Sequence, residues 1–147
     1  MTTPDQPDQI AEIADFVRSN MGALNEKMGV ELVEVSPERV VATMPVEGNT
    51  QPYGLLHGGA SVVLAETLGS VAAAVNAGEG RFAVGTEINA THHRSATSGT
   101  VTGVATPIHV GRTMASFQIE ITDEQGRRVC TSRLSCAILE RDPSPKG

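Results

Sequence analysis

The feature that most constrains this chain is the stretch from Gln51 to Gly78, QPYGLLHGGASVVLAETLGSVAAAVNAG. It opens with a glycine-rich turn, Gly54 to Gly59, that carries one histidine, His57. From Ala60 to Ala77 it is a row of small and apolar residues with no Pro, Lys or Arg, and it stops at Gly78. Read as a helix, that row makes a rod of about 27 Å at ~1.5 Å rise per residue. A surface helix carries a charged stripe opposite its apolar one, and this segment has none. It therefore predicts a buried helix. Its one ionisable residue is Glu66, whose helical neighbours are Val62, Val63, Gly69 and Ser70.

The whole chain has 147 residues, long enough to bury a core as one domain. With three Phe, one Tyr and no Trp, that core is built from Val, Ile, Leu, Ala and Met. A formal net charge of -6 argues against nucleic acid as the partner, because phosphate binding wants a basic face. The start, MTTPDQPDQ, lacks the positive-then-apolar form of a signal peptide. The longest apolar run is broken by Glu66, so no membrane span is expected and the reading is a cytoplasmic protein. Cys130 and Cys136 fall in one strand-like segment, about 20 Å apart at ~3.3 Å per residue. That is beyond disulfide reach, so both read as core-facing free thiols.

Taken in order, residues 1–8 and 141–147 read as a flexible leader and tail around a domain of residues 9–140. Ile10, Ile13, Ala14, Val17, Met21 and Leu24 form a helical stripe over 9–25, with Asp8 as a candidate N-cap. Strands are expected over 28–35 and 39–46, and the central helix over about 58–77. Four more strands follow at 82–93, 100–110, 113–122 and 127–140. In the first of these, alternation puts Phe82, Val84, Thr86, Ile88 and Ala90 on one face. Strands joined by short turns are expected to pair antiparallel with their sequence neighbours. The fold class is α+β: one curved antiparallel sheet wrapped around one long central helix.

The chemistry concentrates in the opening stretch. A buried carboxylate without a partner is costly and has a raised pKa, so Glu66 either bonds a neighbour or serves a reaction. Gly58 and Gly59 sit where the first helical N–H groups lack partners, at the positive dipole end. There they either relieve strain in a plain turn or polarise a carbonyl oxygen. On a straight helix Gly58 and Glu66 are about 12 Å apart, too far for one small electrophilic centre. Either the start of the helix is bent or the site is shared between two chains; the favoured arrangement is an antiparallel two-fold dimer, which would bring Gly58 of one chain to Glu66 of the other. His92-His93-Arg94 and His109-Val110-Gly111-Arg112-Thr113 are the notable basic spots, either solvated strand ends or phosphate-binding groups. No metal-ligand spacing, nucleophile elbow or phosphate loop stands out.

The motif QPYGLLHGGASVVLAE, from Gln51 to Glu66, resembles the signature of hotdog-fold acyl-CoA thioesterases. It is most similar to the branch of phenylacetate-type (PaaI-like), 4-hydroxybenzoyl-CoA and 1,4-dihydroxy-2-naphthoyl-CoA thioesterases. GTEINATHHRS, PIHVGRT and DEQGRRVCTSRL continue the resemblance, which runs from about Met28 to Leu139. It implies a hotdog fold and hydrolysis of an aromatic acyl-CoA, with menaquinone synthesis as one setting and no metal or other cofactor. Glu66 would be the nucleophile or general base, and the Gly58 amide would polarise the thioester carbonyl, assisted by Gln51 and His57. Ser70, Val71, Gly85, His92, His93, Arg94 and Ser95 would line the acyl and pantetheine path. His109, Val110, Gly111, Arg112, Thr113 and Met114 would hold the CoA arm. The resemblance also implies a homodimer with shared sites, assembled as a dimer of dimers. Two rival readings are an acyl-CoA-binding module without turnover and a hydroxyacyl dehydratase on the same fold. The dehydratase is disfavoured because its usual histidine neighbourhood is Pro-rich, unlike LLHGGAS.

Overall fold

A computed structural model describes residues 7–141. Helices α1 (Pro7–Ser19) and α2 (Ala23–Met28) come first, then strands β1 (Glu31–Val35) and β2 (Val40–Pro45). The long helix α3 (Gly58–Ala77) follows, and the chain closes with β3 (Arg81–His92), β4 (Thr100–Val110), β5 (Met114–Thr122) and β6 (Arg128–Glu140). The result is one six-stranded antiparallel sheet in the order β1-β2-β4-β5-β6-β3, packed against α3. This is the α+β hotdog architecture.

Three expectations about the first elements need correction. The helix expected over 9–25 is two helices, broken where Gly22 takes a positive φ of 85°. Asp8 is no cap, because α1 already includes Pro7 and places Asp8 in its first turn. Most of the expected leader and tail lies outside the described residues. The first strand starts at Glu31, since Met28 still ends α2 and Gly29 caps it with φ 75°.

The pairing rule fails at one connection. β3 and β4 are consecutive, yet β3 pairs with β6 at one edge of the sheet while β4 pairs with β2 and β5. The intervening segment is no tight turn. It crosses the end of the sheet and is pinned to the loop before α3, where Leu56 N donates to Ala96 O at 2.8 Å and Val46 N to Gly99 O at 2.9 Å. That crossing carries residues 92–96 past the first turn of α3.

The face assignment in β3 also fails, halfway along. The pairing with β6 shifts between Gly85 and Glu87, a bulge that turns the strand over. Ile88 and Ala90 pack against the core with Ala83, whereas Phe82 and Val84 face outward, 36% and 42% exposed. A continuous period of two cannot reveal a bulge.

The core is aliphatic, as the composition requires: Leu64, Leu68, Val75, Met44, Val101, Ile119, Ile121 and Leu134 are fully buried around Phe117. Cys130 and Cys136 are buried free thiols. Two glycines let α3 press onto the sheet. A Cβ at Gly69 would collide with Leu134, and one at Gly103 of β4 with Leu68. α3 is long and apolar enough to span a membrane by composition alone, but here it is the central helix of the fold.

It is not buried all round, however. Val62, Val63, Glu66, Thr67, Ser70 and Ala74 are half-buried, a stripe at helical spacing that the sheet of this chain leaves partly open. Glu66 lies in that stripe beside the edge strand.

Candidate active site

The site is built from the turn before α3 upward. Asn49 anchors that turn: its side-chain Nδ2 donates to Met28 O at 2.7 Å and Pro45 O at 2.9 Å, while its own carbonyl accepts from His57 N at 2.9 Å. His57 is the N-cap of α3, its Nδ1 accepting from Gly59 N at 2.8 Å. The His57 carbonyl accepts from Ala60 N and Ser61 N. Among the described residues, Gly58 N, like Leu55 N earlier in this turn, donates to no protein acceptor. It sits at the positive end of a helix of 20 residues, where an oxygen gaining negative charge is stabilised.

Gly58 opens onto a cavity of about 300 Å³. Gln51, Gly58, His92, His93, Arg94 and Ser95 line it together, which unites six of the residues singled out in the sequence. The Gln51 side-chain oxygen accepts from Tyr53 N, so its NH2 is the end left to donate. A Cβ at Gly58 would stand 2.9 Å from His92 Nε2, so a side chain there would have to push that exposed ring aside. His93 Nε2 and Thr131 Oγ1 are hydrogen-bonded at 2.9 Å, which ties the crossover to β6.

Glu66 belongs to a second cluster. A Cβ at Gly85 would stand 2.5 Å from Glu66 Oε1, so the carboxylate lies over bare backbone of β3. Burial pushes the Glu66 carboxyl above its ordinary value of 4.5. Cys136 sits within reach of its charge: burial first, and the Glu66 carboxylate second, push that thiol up to about 11. Ser70 lies on the same half-open stripe one turn later, whereas Val71 is buried in the core.

The third group is at the opposite end of the sheet. His109, Val110, Arg112, Thr113 and Met114 are exposed around the β4–β5 hairpin, and Gly111 N donates to Met114 O at 2.8 Å. Thr113 O accepts from Ile138 N at 2.9 Å, and Arg112 O accepts from the Arg81 guanidinium. One chain thus strings three groups along α3. The Gly58 cavity is at its start, Glu66 about 12 Å further on, and the Arg112 hairpin beyond its end.

The sequence reading missed Leu55, Leu56, Ser61, Ala96 and Val129 in the cavity wall and Cys136 beside Glu66. Ser61 was within reach, since three residues after Gly58 is the same helical face. Cys136 was not, because only the pairing of β3 with β6 brings it opposite Gly85. Among the described residues, no three His, Cys, Asp or Glu side chains gather as a metal site.

Comparison with known proteins gives these clusters a context. The model of the thioesterase superfamily matches residues 53–130, which include Gly58, Glu66, Gly85 and Arg112. The chain is 51% identical over 122 residues to the proofreading thioesterase EntH of Cronobacter turicensis, covering 82% of this chain and 89% of that protein. The crystal structure of thioesterase HI1161 from Haemophilus influenzae is 36% identical, covers 99% of this chain and 100% of its own, and superposes with a TM-score of 0.84. A variant of thioesterase PA1618 from Pseudomonas aeruginosa superposes with a TM-score of 0.82 at 36% identity, covering 92% and 97% of the two chains. With the fold, the glycine turn and these relatives together, the chain belongs to the thioesterase superfamily and is a thioester hydrolase.

Proposed function

We propose that this protein hydrolyses acyl-CoA thioesters to free acid and CoA, with Glu66 as nucleophile or general base and the Gly58 amide as oxyanion donor. The observation that carries this reading is the pairing of a desolvated carboxylate over bare Gly85 with an uncommitted amide at the start of the same helix. A thioester already has a good leaving group. The task left to the protein is to deliver an oxygen and stabilise the tetrahedral oxyanion. A partly desolvated carboxylate is a better base than a hydrated one. Gln51 and His57 flank the Gly58 amide, and His92, His93, Arg94 and Ser95 wall the cavity into which it opens.

The active unit in this reading is a homodimer. β3 is a 12-residue edge strand with Phe82 and Val84 exposed, and the Val63–Glu66–Ser70 stripe of α3 lies half-open beside it. An edge of that length is a template for pairing. A two-fold copy laid antiparallel along β3 turns its Gly58 end toward this chain's Glu66 and Arg112 end. Each site then takes its base from one protomer and its oxyanion donor from the other, and two such dimers would associate. A cytoplasmic setting accords with a CoA substrate.

The acyl group in this reading is aromatic, of hydroxybenzoyl or dihydroxynaphthoyl type, on the strength of the motif resemblance. The name of the Cronobacter relative, a proofreading thioesterase, favours a second reading in which the protein clears thioesters formed in error. A panel of aromatic and aliphatic acyl-CoAs with a thiol reagent separates the two. A sharp preference for one aromatic acyl group supports a dedicated step, and similar kcat/KM across the panel supports proofreading. Release of enoyl product, or tight binding without thiol release, would overturn hydrolysis altogether.

A further inference from the structure

The sheet under Glu66 is a row of three residues on three adjacent strands. Cys136 of β6 is the direct partner of Gly85 on β3 and of Ala115 on β5. Opposed residues of an antiparallel pair point to one face, with Cβ positions about 5 Å apart. Here that face is the one turned to α3. Cys136 and Ala115 are buried on it, and Glu66 Oε1 stands 2.5 Å from the place of a Cβ on Gly85. The bare backbone of Gly85 thus leaves the carboxylate beside the Cys136 thiol. Leu134 Cδ1, 3.5 Å from the same point, closes the apolar side. Among the described residues, Glu66 has no ion-pair partner.

We propose that Cys136 is a positioning residue for the hydrolysis: its neutral side chain props the Glu66 carboxylate over Gly85 and shields it on the sheet side from water and from hydrogen-bond donors, which keeps it a strong base. The inference rests on the reading of Glu66 as nucleophile or base. A buried cysteine is ordinarily a small hydrophobic filler. Cys130, on the same strand and just as buried, fits that role, since burial alone pushes its thiol up. Cys136 differs because the charge of Glu66 reaches it, adding to burial to push the thiol up to about 11. At neutral pH it stays S–H and sets no second negative charge beside the carboxylate. Sulfur is also a weak donor. A serine hydroxyl in its place would hydrogen-bond the ionised carboxylate and make it a weaker base. The charges on neighbouring elements do not face Glu66. Glu87 pairs with Ser135 and so lies on the opposite face of the sheet, where alternation also puts Arg133 and Glu120. Helix α2, tied to Thr67 through Asn25, holds Glu26 and Lys27 exposed.

The test compares Cys136→Ser and Cys136→Ala with Cys130→Ser, the same kind of change at the other buried thiol, through the pH dependence of kcat/KM. In Cys136→Ser the acid limb is expected about one pH unit lower, with kcat on the plateau reduced about tenfold and KM held. Cys136→Ala opens space for water under the carboxylate and is expected to move the limb the same way. Cys130→Ser is expected to lower the denaturant midpoint and leave the limb in place. A wild-type acid limb in both Cys136 variants, or a limb that moves equally in Cys130→Ser, overturns the proposal and leaves Glu66 as the base. If Glu66→Gln releases thiol as wild type does, the Glu66 reading itself fails and the positioning role with it. A spectroscopic arm keeps Cys136 in place, so it holds even where the Cys136 variants fail to fold. With two Cys in the chain, Cys130→Ser leaves Cys136 as the single thiol. Its S–H Raman band is expected to shift as pH passes through the acid limb, and to stay fixed once Glu66→Gln is added. A band that never moves overturns the contact between thiol and carboxylate.

Discussion

Glu66 Oε1 lies where a side chain on Gly85 would have to be: a Cβ built there falls 2.5 Å from the carboxylate oxygen. The bulge that follows Gly85 in β3 and the absent side chain together make a seat for the proposed base. Gly85→Ala should therefore displace the carboxylate rather than unfold the protein. We expect kcat to fall roughly 10- to 100-fold with KM nearly constant, since misplacement by about 1 Å costs that much. Steady-state kinetics on the preferred acyl-CoA checks this, and an unchanged kcat would mean the carboxylate is not held there.

The protonation of Glu66 gives a pH signature with a definite sign. Burial raises its folded pKa above the ordinary 4.5, so the folded state holds the proton more tightly than the unfolded state. The associated stability is fully present below about pH 4.5 and is lost as pH rises through the folded pKa. Glu66→Gln removes that loss. The variant should be more stable than wild type at neutral pH, and the gap should close below about pH 4.5. Urea unfolding at several pH values measures this.

Activity should follow the same group in the opposite sense. The ionised carboxylate is the active form, so kcat/KM should fall in acid with an apparent pKa above 4.5. Glu66→Gln should lose about 10³-fold or more in kcat while still binding substrate. Near-normal thiol release by that variant would remove Glu66 from the mechanism.

Close packing of α3 on the sheet predicts the cost of two small additions. Gly69→Ala drives a methyl into Leu134, and Gly103→Ala drives one into Leu68 and Leu64. Both surroundings are fully buried, and overpacking of this kind costs about 1–3 kcal/mol. Denaturant midpoints should drop for both variants, with the same substitution at Gly126, where nothing lies within 4 Å, testing only its positive φ of 76°.

Much of this was legible in the residues because the decisive signals are local. The glycine turn, the uncharged run and the lone Glu66 define α3 and both chemical groups within 28 residues, Gln51 to Gly78. Alternation and turn residues define the strands. What stayed hidden is non-local. The exchange that puts β3 beside β6 depends on backbone bonds from residues 46 and 56 to residues 99 and 96, which no periodicity records. The bulge after Gly85 swaps Phe82 and Val84 to the outside, and only pairing across the sheet reveals it. Uniform apolarity of α3 suggested burial on every side, but it arises equally from a helix half covered by its own sheet and left half-open along one stripe, the stripe that faces a second chain in the proposed dimer.

That last point carries the central claim, that Glu66 of one protomer works with Gly58 of the other. Subunit mixing tests it directly. Glu66→Gln and Gly58→Val chains, each confirmed folded by circular dichroism, are assayed alone, then unfolded, mixed in equal amounts and refolded together. Random pairing makes half the dimers mixed, each with one site that has both groups intact, so activity should recover to about one quarter of wild type. A mixture no more active than its parents would contradict the shared site and place both groups of each site within one chain.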